Sequence, residues 1–257
     1  MSSVWLQENS WKELDELRQN AKNLVIIPVG STEQHGNHLP LGTDTMVAMM
    51  LAEDAAKQTK TVVSPPLWFG WSPHHMVLPG TITLRPEILI EVLYDVIQSL
   101  NGHGFQKFII INGHRIVNIP WMQLAAERAQ RQLGVKVVLF DPAYMSKEIL
   151  SKIEYGPVGH SEEIETSHML YKHPELVNMD KAIDNPIVDH PLYSVDPAFH
   201  GDTLCYVPST QENMKKSVDV AGGTTGTPSK ASVEKGQIYH KHLITNLVNV
   251  IKQLQQN

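Results

Sequence analysis

One cysteine, Cys205, stands among 257 residues. A lone thiol cannot close an internal disulfide, and it rules out a zinc site made of several thiolates. Such sparse cysteine fits a reducing compartment, so a cytoplasmic location is expected. The chain also lacks any run of about 18 apolar residues, the length a transmembrane helix needs, so no membrane partner is expected. The opening residues MSSVWLQENSWKELDEL carry acids and no continuous apolar stretch, unlike a secretory signal. Positive charge is neither abundant nor clustered: 21 Lys and Arg stand against 27 Asp and Glu, a formal charge of −6. A nucleic-acid partner is therefore not expected.

What is present is the makeup of an ordinary globular protein, 42% hydrophobic and 19% charged. Length, with no visible repeat or low-complexity tract, predicts one domain over residues 1–257. Ser10 and Glu13 have capping-box spacing before a short amphipathic helix. The apolar runs at 24–29 (LVIIPV), 61–64 (TVVS), 107–111 (KFIII) and 135–140 (VKVVLF) read as buried strands. Helical patterns lie between them, at about 45–57, from Pro86 to about Leu100, and from Trp121 to Leu133 before Gly134. This alternation predicts an α/β fold of three layers, a mainly parallel sheet flanked by helices. Ser161 is placed to cap a further helix, and a last amphipathic helix is expected from about Ser229 to Leu254, with Ile238, Leu247, Ile251 and Leu254 on one face. Residues 175–230, rich in Pro, Gly and Asp, read as functional loops.

Thirteen histidines are many. His103, His173, His190, His240 and His242 lie in polar stretches and are expected to be solvated. Others fall beside carboxylates where strands end. Glu33, His35 and Asp44 follow the 24–29 strand, and ligands gather outside the carboxyl ends of strands in open α/β sheets. Two carboxylates and an imidazole suit zinc, manganese or iron, although a polar turn with Asp44 capping a helix explains the same residues. Asn112-Gly113-His114-Arg115 follows the next buried strand and opens onto the same edge. Two strand ends delivering such groups favour a shared metal centre, and an aspartate bridging two ions would make it binuclear. A third cluster, His160 to Ser167, holds Glu162, Glu163 and Glu165. Acids in a helix's first turn are favoured by its dipole, while the functional reading makes one a ligand and His160 a proton donor or substrate contact.

In order, Glu33-Gln34-His35-Gly36 with Asp44, Pro79-Gly80-Thr81, Asn112-Gly113-His114 and Glu165-Thr166-Ser167 resemble the creatininase (creatinine amidohydrolase) family. The resemblance runs from about residue 5 to Glu234-Lys235-Gly236. It implies a parallel α/β sheet with flanking helices, two divalent metal ions, a small-molecule substrate and a homohexamer. It assigns Glu33, Asp44 and His114 to one ion, and His35 with the bridging Asp44 to the other. Creatininase completes the second site with a Glu two positions after the NGH histidine. Ile116 stands there in this chain, and Glu165 is taken as its substitute.

Further departures concern the substrate. Arg115 replaces the Tyr that follows the NGH histidine in creatininase, and Gly156-Pro157 stand roughly where it has Trp-Asp. The segments 112–121 and 140–145 resemble a branch associated with inositol breakdown, which opens a diketo-inositol ring. The resemblance thus implies hydrolysis of a C–C bond in a keto-inositol, with His160 and Glu163 as catalytic groups and Ser72, His75 and Arg115 against the substrate. The alternatives are a creatinine-type or formamide amidohydrolase, and an inactive metal-binding protein of the same fold.

Overall fold

The computed structural model describes residues 3–156, 158–186 and 210–256. Cys205, His190 and Pro157 lie outside them. Among the described residues, four parallel strands form one sheet in the order β2-β1-β3-β4: β1 (Leu24–Val29), β2 (Val62–Val63), β3 (Lys107–Asn112) and β4 (Lys136–Phe140). β1 and β3 pair along their full length, from Leu24 opposite Lys107 to Val29 opposite Asn112. Their apolar runs are continuous because both faces are covered. Alternate residues divide between two cores. Leu24, Ile26, Ile109 and Ile111 pack on one face, while Val25, Ile27, Phe108 and Ile110 pack on the other.

The first face carries α2 (Thr43–Thr59), α7 (Glu163–Lys172) and α9 (Val233–Gln256); the second carries α3 (Pro86–Gly102) and α4 (Ile119–Leu133). α1 (Trp11–Asn20) packs Leu14 and Leu17 at the edge of the second core, and Glu13 accepts from Ser10 N at 2.8 Å as its capping-box spacing predicts. α2 joins β1 to β2 in one direction, and α3 then returns the chain past β1 to β3. The winding reverses between β1 and β3, and an α/β sheet opens its crevice there.

Several expectations need correction. Glu162, not Ser161, occupies the N-cap of α7, and Ser161 adopts φ 55. Helices α5 (Pro142–Met145), α6 (Lys147–Lys152) and α8 (Gln211–Ala221) were not anticipated, and α8 lies inside the stretch read as loops. Ile238 is 43% exposed, whereas Tyr239, Leu243, Leu247, Ile251 and Leu254 form the buried face of α9. His240 is buried rather than solvated: it bonds His168 at 2.8 Å and Asp54 at 2.9 Å, tying α9 to α7 and α2. Among the described residues no helix is long and apolar enough to cross a membrane.

Gly113 sets how closely β3 meets α2. A Cβ there would lie 1.8 Å from the backbone oxygen of Asp44, so only glycine permits this approach. Gly113→Ala is expected to lower stability by about 3 kcal/mol in urea melts, because backbone must move. Gly102→Ala, where a Cβ meets nothing within 4 Å, is the control and should be neutral or slightly stabilising.

Candidate metal centre

The chain leaves β1 and β3 side by side, with Gly113 N donating to Val29 O at 2.7 Å. Glu33 and His35 lie in the loop after β1, Asp44 in the first turn of α2, and His114 just after β3. The loop before α7 brings His160, and the first turn of α7 brings Glu165. A short 3-10 turn, Pro73–Val77, brings His74 and His75. All of these except His160 are buried, and its side chain is only 13% exposed.

Backbone carbonyls decide which nitrogen each imidazole presents. A carbonyl can only accept, so the ring nitrogen facing it carries the hydrogen. His35 Nδ1 faces Glu33 O at 3.1 Å, His160 Nε2 faces Gln34 O at 2.6 Å, and His114 Nε2 faces Trp71 O at 3.3 Å. The opposite nitrogens point at carboxylates. His35 Nε2 lies 3.1 Å from Asp44 Oδ1 and 3.7 Å from Glu165 Oε2, and His114 Nδ1 lies 3.0 Å from Asp44 Oδ2. His160 Nδ1 lies 3.6 Å from Glu33 Oε1. A bare lone pair facing a carboxylate is repulsive unless a cation, proton or metal, stands between them.

His75 is wired the other way. Gln34 Oε1 accepts from Gly36 N at 2.9 Å, which orients the amide so that its Nε2 donates to His75 Nδ1 at 2.8 Å. The hydrogen of His75 is then on Nε2, 3.3 Å from Glu33 Oε1. His75 is a donor here, and not a free lone pair.

Comparison with known proteins agrees with this geometry. A family model described as creatinine amidohydrolase matches residues 7–251. The chain belongs to the creatininase family. A 3-dehydro-scyllo-inosose hydrolase of Thermotoga maritima is 33% identical over 71% of this chain, and the match spans only 60% of that protein's length. The creatinine amidohydrolase of Pseudomonas putida is 26% identical over 98% of this chain and 97% of its own. A solved creatininase variant of Zn-Zn type has a TM-score of 0.79 at 25% identity, and a Mn creatininase 0.76 at 26%, each covering 98% of both chains.

The creatininase-like ligand set passes a physical test of its own. Both oxygens of Glu33 and Oδ2 of Asp44 are buried without a well-formed hydrogen bond, and they face His75 Nε2 at 3.3 Å and His114 Nδ1 at 3.4 and 3.0 Å. Buried carboxylate oxygens without donors are costly, and a divalent cation satisfies them. Candidate ligand groups form at Glu33-His35-Asp44 and His35-His160-Glu165, while in a third, Glu33-His75-His160, His75 turns a hydrogen rather than a lone pair toward Glu33. The two oxygens of Asp44 face different histidines, as a bridging ligand would.

The remaining sequence-predicted residues lie close by, in varied settings. Ser72 Oγ is 2.7 Å from Ser31 Oγ and 3.4 Å from His114 Nε2, so it buttresses that ring. Arg115 pairs with Glu162 and Glu165. Glu163 is not brought into the cluster: it pairs with Lys235 and accepts from Gly156 N at 3.1 Å. Ile116 takes φ 70, a costly region for a β-branched residue, and Asp141 accepts from its N–H at 2.9 Å and from Asn112 Nδ2 at 2.8 Å. Sequence reasoning missed Gln34, His74 and Asp141. Gln34 stood between two proposed ligands and His74 beside a proposed contact, which was the available signal.

The electrostatics follow. Burial opposes a charged imidazole, but Asp44, Glu165 and Glu33 outweigh it and raise His35 to about 10; Glu33 and Asp44 raise His114 to about 9. Burial lifts Glu33 to about 7 against the pull of His114. Despite burial, His35 and His114 hold Asp44 well below the usual carboxylate range. Burial and neighbouring histidines push His75 and His160 well below theirs, so both are neutral at pH 7.

Metal-free protein therefore carries protons on His35 and His114 near neutrality. Zinc binding at about pH 7 should release about two protons from the histidines and a further fraction from Glu33, measurable by calorimetry in buffers of different ionisation enthalpy. The raised histidines contribute stability that is complete below pH 6.5 and lost as pH rises through about 9 to 10. Melts of chelator-treated protein should thus fall in temperature across that window. Asp44→Ala should weaken metal binding more than about 100-fold while circular dichroism stays native, since a member of the candidate ligand group is lost rather than an outer support.

Proposed function

We propose that this chain is a metal-dependent hydrolase that opens a small neutral ring, a keto-inositol of the 3-dehydro-scyllo-inosose kind, by cleaving a C–C bond. The observation that carries the substrate class is the charge balance of the cavity. Its volume is about 280 Å³, and His74, His75, His114, His160, Ile116, Val117, Val158 and Met214 contribute to its walls. Among the described lining residues Arg115 and Glu165 pair at 2.7 Å, and His114 is engaged by Asp44 at 3.0 Å. With Glu33 and Asp44 taken up by bound metal, no acid would be left for a cationic ring and no unpaired base for an anionic one. The 33% identity to an inosose hydrolase supports the same class.

Glu33, Asp44 and His114 would hold one divalent ion, and His35, Asp44 and Glu165 a second. Such ions supply Lewis acidity that makes water nucleophilic near neutral pH. The protein's own groups handle the protons. His160 Nδ1 carries a free lone pair toward the site and accepts a proton from the attacking water. Its Nε2–H stays bound to Gln34 O, which holds the ring in place. Water oxygen adds to one carbonyl of the β-diketone, and the bond to the carbon between the carbonyls breaks. That carbon takes the electron pair as an enolate and receives the proton from His160, leaving a carboxylate and a ketone. His75 Nε2–H is available to donate to the oxyanion. The cytoplasmic location and homohexameric assembly belong to the same proposal.

A second reading, amide hydrolysis, has in its favour the P. putida relative that matches nearly the whole chain. Comparing kcat/KM on 3-dehydro-scyllo-inosose and creatinine separates them. The inosose is expected to win by about 10⁴-fold, because buried groups that bond ring hydroxyls reject an analogue lacking them. Faster turnover of creatinine overturns the substrate assignment. His160→Asn should lower kcat by about 10²–10⁴ with little change in KM.

A further inference from the structure

Arg115 directly follows the ligand His114, and from sequence it reads as a group aimed at substrate. The fold gives it other work. Its Nη2 lies 2.8 Å from Glu162 Oε1 and 2.7 Å from Glu165 Oε1, and all three side chains are buried. Neither carboxylate is gripped by two guanidinium nitrogens. One nitrogen is shared between both, while Nε and Nη1 are buried without a hydrogen-bond partner. Glu165 Oε2 accepts in turn from Ser161 N at 2.7 Å.

The two halves of the metal centre are therefore unlike. Glu33 and Asp44 are buried and face imidazoles, Glu33 meeting His75 at 3.3 Å and Asp44 meeting His114 at 3.0 Å. No guanidinium or ammonium group among the described residues competes with a cation for these two carboxylates. Glu165, which lies 3.7 Å from His35 Nε2 and would hold the second ion with it, has both oxygens engaged, one of them by a full positive charge. A cation placed on Glu165 must share that carboxylate with Arg115 and also meet its repulsion, which is strong at short range away from bulk water. Glu162 weakens this effect by drawing the same guanidinium nitrogen toward itself.

We propose that Arg115 makes the second metal position a weak, separately filled one, and that Glu162 sets how weak it is. The inference rests on the metal-centre reading above. Within it, Arg115 is a positioning residue acting through Glu165, and the second ion binds after the first and leaves before it.

The test is calorimetric titration of chelator-stripped protein with Mn²⁺, and with Zn²⁺, monitored in parallel by the paramagnetic signal of free Mn²⁺. Wild type should bind two ions with affinities at least about tenfold apart. Glu162→Gln leaves Arg115 to Glu165 alone and should weaken the second ion by a further 10–100-fold or so. The double variant Arg115→Met, Glu162→Gln removes one charge of each sign, which favours retention of the fold, and should tighten the second ion by about tenfold or more. In every case the first ion should bind as in wild type, which a merely structural role for these residues does not predict. Two ions of equal affinity, or a second ion that responds to neither variant, overturn the inference and leave the metal centre standing. Failure of folded wild type to bind any ion overturns both.

Discussion

Carboxylates taken out of water need a positive charge close by, and this site depends on that requirement. Glu33 and Asp44 are buried at the end of a sheet whose strands bring no lysine or arginine to them. Three of their oxygens lack a well-formed hydrogen bond. The nearby groups are imidazoles, and in a metal-free chain two of these must hold protons to balance the acids. Protons and divalent ions thus compete for one charge-deficient space. The folded chain is a receptor for cations because it has left its own carboxylates unbalanced.

The sheet makes this crowding possible. Winding reverses between β1 and β3, so the two chain exits diverge above a crevice while their strands stay in register. Gly113 then lets β3 approach the start of α2 at a distance no side chain would permit. His114 and Asp44 meet as a result. The backbone contributes again by aligning the rings: the carbonyls of Glu33, Gln34 and Trp71 each take one imidazole hydrogen and turn the other nitrogen inward. In metal sites such outer partners fix ring orientation and raise ligand basicity.

The departures from creatininase gather on one side of this arrangement. Ile116 stands where that enzyme places a carboxylate, in a backbone conformation that Asp141 helps to hold. Arg115 and Glu162 add an ion-paired layer behind Glu165. Glu33, His35, Asp44 and His114 match the creatininase pattern, while Glu165 beside His35 is paired with a guanidinium. A family member can in this way keep a core of metal-ligating groups and alter the charges beside it, along with the polarity of the cavity it faces.

The layers, the parallel strands and the strand ends at which Glu33, His35, Asp44 and His114 gather were legible in the sequence. Continuous apolar runs ending in Gly30 and Asn112-Gly113 mark buried strands, and polar clusters just beyond them belong at the crevice. Local spacing also revealed the capping box at Ser10 and Glu13. It could not show that His240 is buried, because His168 and Asp54, which satisfy it, come from other helices. It read Arg115 and Glu163 as free to meet a substrate, and only tertiary packing supplied Glu162, Glu165 and Lys235 as their partners. The tautomers of His35, His75 and His160 were decided in the same way, by a carbonyl or amide whose position follows from the folded loops. A residue's type and its neighbours in the chain state what it can do. Whether its charge or lone pair is already engaged depends on groups distant in sequence, and only the fold brings those to it.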